Sequence, residues 1–317
     1  MNEIKKSKEN RKGLRQAKRK EWIFVLCILA WPILHKLVFY FGVSFSSFSL
    51  AFKKYDSINA QYTFLNGSEI FYNFKLFFNE LASNPTYLNS WGRTLRLYAV
   101  QTFVVMPISI LCSYFIIKKV PFSGFLTVAF FLPTIFASTA MSLMFGYFVE
   151  WALPSIWYSL TGNELPILLR APETAFNVLL VYSVWNSFAS GMILYVGQMS
   201  NVGEGLQDAC KIDGCGTMGE LWHVVLPATY PLISVYLVTG FCAIFTGSGA
   251  VLLFYKYDAP DFVQTIGYIL FTKVIGENAS LADYPFVSAM GLVISMVATP
   301  LTFGLRYCLN RFGPRED

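Results

Sequence analysis

The chain has 317 residues, of which 55% are hydrophobic, 17% aromatic and only 14% charged. A soluble domain of this size carries nearer a quarter of charged residues, so a water-soluble globule is excluded and a membrane protein is implied. The net charge of +5 is then a topology and anionic-lipid signal, not a nucleic-acid one.

Residues 1–21 form a basic tail with nine Lys and Arg, expected to lie in the cytoplasm up to Trp22, an interfacial anchor. No cleavable signal pattern follows, because the apolar region after it is too long. Six spans are predicted: Trp22–Leu50, Thr94–Ile117, Phe122–Val149, Phe176–Gln198, Ala228–Phe254 and Phe286–Leu309. Each reaches the roughly 20 residues a bilayer crossing needs, and the first and third exceed it enough to call for tilt or a break. The predicted organisation is the tail 1–21, a first span with its external segment 22–93, a transmembrane core 94–309 and a short cytoplasmic tail 310–317. With the tail inside, alternation leaves 15 Lys and Arg on the inner side and seven outside, which supports both termini in the cytoplasm.

The first span carries Pro32 and then Lys36, about 21 Å along the helix from Trp22. Either the helix kinks at Pro32 and Lys36 snorkels, or the charge faces a translocation path. The external segment 51–93 is aromatic and polar and suggests amphipathic surface helices. The third span carries Pro133 and then Ser138, Thr139, Ala140 and Ser142, small residues that permit close helix approach. Trp185 and Asn186, with Tyr195 further along the fourth span, form a polar and aromatic notch that serves helix packing or lines a cavity. Thr246-Gly247-Ser248-Gly249 reads as a helix break in the fifth span.

Between the fourth and fifth spans, Gly203–Pro227 holds four acids and no hydrophobic run, so it lies in water. Asp213-Gly214 reads as a turn between two short helices. Thr217-x-x-Glu220 is a capping-box pattern, and Met218, Leu221, Trp222 and Val225 share a predicted face of the second helix. The six cysteines all fall in spans or cytoplasmic segments, so no disulfide is expected, and no His/Cys set is spaced for a metal. The phosphate-binding Gly-x-x-x-x-Gly-Lys-[Ser/Thr] motif is absent from the sequence, as are a nucleophile elbow and His-Glu-x-x-His. Carboxylates are missing from the spans, which argues against an ion-coupled secondary carrier, and no cluster of titratable residues suits a membrane-embedded enzyme.

Asp208-Ala209-Cys210-x-x-Asp213-Gly214, then nine residues, then Val224-x-Leu226-Pro227, resembles the coupling-loop signature of ABC-transporter permeases. That signature runs Glu-Ala-Ala-x-x-x-Gly, nine residues, Ile-x-Leu-Pro. Ala51-Phe52-Lys53-x-Tyr55, Phe131-Leu132-Pro133, Val184-Trp185-Asn186, Gly191-x-x-x-Tyr195 and Asp283-Tyr284-Pro285-Phe286 resemble, in order, segments of the branch associated with complex saccharides. Arg93 and Gln264 depart from it, standing where that branch has Asn and Asp.

The resemblance implies an all-α membrane protein with the type I ABC importer permease fold, six transmembrane helices and a cytoplasmic two-helix coupling loop. It implies one half of a path for a sugar, with an oligosaccharide favoured and a peptide or other polar nutrient as the alternative. The implied partners are a second permease in a heterodimer, a cytoplasmic ATPase dimer that binds ATP-Mg, and an extracellular binding protein, in a bacterial cytoplasmic membrane. This chain itself is then not an enzyme and holds no cofactor. Asp208, Ala209, Cys210, Asp213, Gly214, Leu221 and Pro227 are the implied ATPase-coupling residues. Trp185, Asn186, Tyr195 and Lys36 are the candidate substrate-path residues.

Overall fold

Five helices in the computed structural model are long and apolar enough to cross a bilayer, and a bent pair supplies a sixth crossing if it counts as one span. The structure describes residues 20–276 and 279–314, so most of the basic tail and the last three residues lie outside it. The chain is a multi-pass membrane protein.

Helix α1 (Lys20–Leu50) is exposed along nearly its whole length. It runs unbroken through Pro32, and its irregular turn is a π turn at Lys36–Phe41. The segment that follows begins with a two-stranded antiparallel hairpin, β1 (Lys53–Asp56) and β2 (Gln61–Phe64), where only helices were expected. Its turn is local chemistry: Asp56 accepts from the Ile58 amide at 3.0 Å and from Asn59 Nδ2 at 2.7 Å. Buried Asn73, on α2 (Tyr72–Ser83), donates to the Ala51 and Lys53 carbonyls at 2.8 Å each and anchors the hairpin's base.

Helix α3 (Pro85–Ile117) starts nine residues before the predicted span, because Asn84 caps the Thr86 amide at 3.0 Å and Pro85 fits the first turn. It passes Pro107 without breaking. A π turn at Gln101–Val105 ends two residues before that proline. The same arrangement recurs at Phe148–Ala152 before Pro154 and at Leu221–Val225 before Pro227. A proline has no N–H to donate and its ring crowds the carbonyl four residues back, and a widened turn relieves both.

The third predicted span is two helices, α4 (Ser123–Ile135) and α5 (Ser138–Thr161), bent by 103°. Pro133 removes a donor in the last turn of α4, Phe136 turns extended, and the run of small residues opens α5 rather than continuing α4. Helix α6 (Ala175–Ser200) follows the fourth prediction closely. Beyond it come α7 (Glu204–Ile212) and α8 (Thr217–Ala243). The expected break in the fifth span falls after Ala243, and α9 (Gly249–Tyr255) resumes with Gly249 at φ +52°.

Helix α10 (Ile266–Ile275) was not foreseen and returns to pack beside this break. A Cβ on Gly267 would fall within 2.2 Å of the Gly247 carbonyl oxygen, so the approach requires glycine. Helix α11 (Tyr284–Phe312) closes the described chain. One buried cluster (Phe77, Phe245, Ile266, Phe286, Met290) joins α2, α10 and α11 to the end of α8. A second (Ile110, Tyr114, Tyr195, Met199, Leu221, Val225, Ile233) joins α3, α6 and α8 at the end of the bundle that carries α7.

Candidate functional site

Two features are organised by α3: the polar loop 203–227 at its C-terminal end and a cavity along its middle. In the loop, α7 and the start of α8 meet at a tight turn. Asp213 caps α7, and Gly214 sits at φ +79°, a left-handed conformation that side chains resist. The second helix is not a separate short piece, since it is continuous with the fifth span through the π turn at Leu221–Val225. Pro227 lies half-buried just beyond that turn.

The expected capping box does not form. Gly216 is the N-cap, Thr217 is the first helical residue, and neither supplies a side-chain cap. The buried Glu220 carboxylate instead accepts from Lys118 Nζ at 2.5 Å, and Lys118 also reaches Gln207 Oε1 at 3.4 Å. Tyr114 donates to the Thr217 carbonyl at 2.8 Å. The end of α3 thus grips both α7 and α8. Sequence reasoning missed this clamp: Glu220 read as the far end of a capping box, and Lys118 stands 102 residues away from it.

The predicted face of the second helix is divided. Leu221 and Val225 are buried, while Met218 and Trp222 are exposed alongside Leu206 and Ile212 of α7. Asp208, Ala209, Asp213 and Gly214 are also exposed, and Cys210 faces inward. Asp208 pairs with Lys211 at 2.8 Å, and this hydrogen bond and charge hold its carboxyl below the usual range. Because the value is depressed, the charged pair persists at neutral and mildly acidic pH and is lost only as pH falls through that lowered value.

Contrary to the expectation of unpaired cysteines, Cys210 and Cys215 are joined, their Cα atoms 5.3 Å apart. The turn accounts for it: Gly214 reverses the chain so that the Cys215 amide donates to the Cys210 carbonyl at 2.9 Å, bringing the two side chains together. A non-reducing digest is expected to return the peptide spanning both residues two hydrogens lighter than its reduced form. Recovery of two free thiols from unreduced protein would contradict the pairing.

The cavity has a volume of about 430 Å³ and lies between α3, α6, α8 and the glycine break. Tyr98, Gln101 and Ser109 project from α3, Ser187, Gly191 and Tyr195 from α6, and Tyr236 and Gly240 from α8. Gln101 Nε2 faces Ser187 Oγ at 3.4 Å, and the Tyr195 and Tyr236 rings lie 5.5 Å apart. Aromatic faces beside amide and hydroxyl groups suit a polar, polyhydroxylated solute.

Of the predicted path residues, Tyr195 lines this cavity. Trp185 does not; it stacks on Phe145 at 5.8 Å in an aromatic group with Tyr182 and Phe254. Asn186 is half-buried outside the lining, and Lys36 lies over the Tyr40 ring on exposed α1. Tyr98, Gln101 and Tyr236 were missed, although Tyr98, Gln101 and Thr102 recur at helical spacing in a mostly apolar span.

No family model matches the chain. It is 23% identical to Protein LplB of Bacillus subtilis (strain 168) over 93% of this chain and 90% of that protein. It is 20% identical to the multiple sugar-binding transport system permease protein MsmF of Streptococcus mutans, over 90% of this chain and 93% of the other. In structure it matches a chain from the crystal structure of a bacterial ABC transporter involved in the import of the acidic polysaccharide alginate. That match has a TM-score of 0.75 and 16% identity, and covers 94% of this chain and 99% of that one. A second, from the alginate transporter in complex with an alginate pentasaccharide-bound periplasmic protein, gives 0.73, again at 16% identity, and covers 92% and 96%. The chain therefore has the helical fold of an ABC importer permease, and along nine-tenths of its length its sequence is similar to sugar permeases of ABC transporters.

Proposed function

We propose that this chain is the transmembrane permease subunit of an ATP-driven importer and forms half of the path for a saccharide, with an oligosaccharide favoured. The near full-length similarity to a multiple sugar-binding transport system permease carries the reading. The cavity's tyrosines, serines and Gln101 support it chemically. In this reading the loop 203–227 faces the cytoplasm with both termini. Its exposed Leu206, Ile212, Met218 and Trp222 seat in an ATPase subunit that binds ATP-Mg. A second permease completes the path, and an external binding protein delivers the solute.

The geometry supplies a transmission route. Helix α3 lines the cavity with Tyr98, Gln101 and Ser109, and its far end holds the loop through Tyr114 and Lys118. A displacement of the docked loop is thereby carried into the cavity wall as a rigid-body motion.

Vesicles containing this chain, a second permease, the ATPase and the binding protein are expected to accumulate an oligosaccharide, and vesicles with this chain alone are not. Gln101→Leu in the full assembly removes an amide from the cavity and is expected to lower uptake by about threefold to tenfold, with basal ATP hydrolysis unchanged. Ion-driven uptake by the chain alone would refute the proposal.

A further inference from the structure

Cys210 lies in the last turn of α7 and Cys215 stands two residues before the first helical residue of α8, so their bond ties the two helices directly. Elsewhere α7 is tied loosely. Leu206 and Ile212 are exposed, and Gln207 meets Lys118 Nζ and the Val202 carbonyl at a long 3.4 Å each. Without the sulfur bond, the corner rests on Gly214 and on exposed backbone hydrogen bonds such as that from the Cys215 amide to the Cys210 carbonyl. Bonds of that kind exchange readily with water and hold a corner weakly.

The two sulfurs differ in access. Cys210 is buried, whereas Cys215 is half-buried between Gly214 and Gly216, which carry no side chains to cover it. A Cβ built on either glycine meets nothing within 4 Å, so the approach to Cys215 is open. The other four cysteines, Cys27, Cys112, Cys242 and Cys308, form no disulfide. A disulfide in a loop that faces the cytoplasm is out of keeping with a structural role, because that compartment keeps thiols reduced. Those that do form there are mostly transient and redox-sensing.

We propose that Cys210 and Cys215 are a reversible thiol–disulfide site that sets how firmly α7 is held to α8, and thereby how tightly the loop engages the ATPase. The inference rests on the ATPase-coupling reading of loop 203–227 and adds its regulation. The oxidant is a small disulfide such as glutathione disulfide. The accessible Cys215 thiolate attacks one of its sulfurs, forming a mixed disulfide and releasing one glutathione. The Cys210 thiolate then attacks the Cys215 sulfur and displaces the second glutathione. The two protons lost by the cysteines pass to the two leaving thiolates, so two protein thiols and one disulfide become one protein disulfide and two thiols. In the oxidised form Leu206, Ile212, Met218 and Trp222 are held as one preorganised surface, which lowers the ordering cost of docking. In the reduced form the corner yields, and part of any movement of α7 is absorbed before it reaches Glu220 and Lys118.

The test is the affinity of the ATPase for vesicles carrying this chain and the second permease, equilibrated in glutathione buffers from fully reduced to fully oxidised. Alkylation followed by mass measurement of the peptide spanning both cysteines reports the thiol state in each buffer. The oxidised form is expected to bind the ATPase about threefold to tenfold more tightly than the reduced form. Cys210→Ala combined with Cys215→Ala should bind at the reduced level in every buffer. A chain with Cys27, Cys112, Cys242 and Cys308 all replaced by alanine should respond as the wild type does. Equal or weaker binding by the oxidised form would overturn the inference, as would a response that persists in the Cys210→Ala, Cys215→Ala chain. A pair that stays oxidised in the reduced buffers would also overturn it, since the bond would then be a fixed brace. In each of these cases the coupling reading stands, because the ATPase still binds. Absence of ATPase binding in every buffer would sink that reading and this inference together.

Discussion

Replacing Lys118 with methionine is expected to reduce solute uptake by the assembled importer by tenfold or more, with the chain still inserted and bound to the second permease. Methionine keeps the apolar stem and removes the ammonium that holds Glu220 and Gln207. The Glu220 side chain is 6% exposed and that of Lys118 24%, so the pair is largely withdrawn from water. Hydrogen bonds to charged groups in such settings contribute about 1.5–3 kcal/mol, and removing one partner leaves the other buried and unpaired. That loss is local, because the cluster of Ile110, Tyr114, Leu221 and Val225 still packs α3 against α8. What goes is the link between the loop and the helix that lines the cavity. ATP hydrolysis should continue while its stimulation by solute falls. Glu220→Gln should show the same separation, and the exchanged pair Lys118→Glu with Glu220→Lys should recover part of the uptake. Unaltered uptake in both single variants would show that α3 does not transmit the loop's motion.

Gly214→Val is expected to abolish transport by a different route. Nothing lies within 4 Å of a Cβ built at Gly214, so the substitution meets open space. The obstacle is the backbone at φ +79°, where a β-branched side chain costs roughly 1–3 kcal/mol. Within the limits of the Cys210–Cys215 link, the strained turn loses the hydrogen bond from the Cys215 amide to the Cys210 carbonyl and rotates α7 relative to α8. Leu206 and Ile212 would then no longer share a surface with Met218 and Trp222. The spans lie outside this change, so expression and pairing with the second permease should be near normal. The ATPase subunit should fail to co-purify, or hydrolyse ATP without moving solute. Wild-type uptake and ATPase retention in this variant would remove the loop from the coupling role.

The two variants probe features of unequal legibility. Gly214 was readable because a turn between two helices at Asp-Gly has a local cause, the freedom of glycine. The Lys118–Glu220 pair was not, because 102 residues separate its members and no local rule joins them. The same division runs through the fold. The fourth and sixth predicted spans end within two or three residues of α6 and α11, since a bilayer crossing is a matter of length and apolar content. The third is broken into two helices, as its excess length called for, but length fixes neither the place of the break nor its 103° angle.

The sequence by itself determined that the chain spans a membrane several times, that a polar loop lies between two of its crossings, and where that loop turns. Those properties follow from hydropathy, proline and glycine, which act within one helix or one turn. Only the tertiary structure decided which side chains of the loop face inward, and that three prolines would be absorbed by π turns instead of breaking their helices. It also decided that Tyr195 would reach the cavity while Trp185 packs against Phe145. The physical reason lies in the apolar surroundings of a spanning helix. Every face of it can be hydrophobic, so periodicity no longer marks the buried side, and partners are fixed by packing among helices distant in sequence.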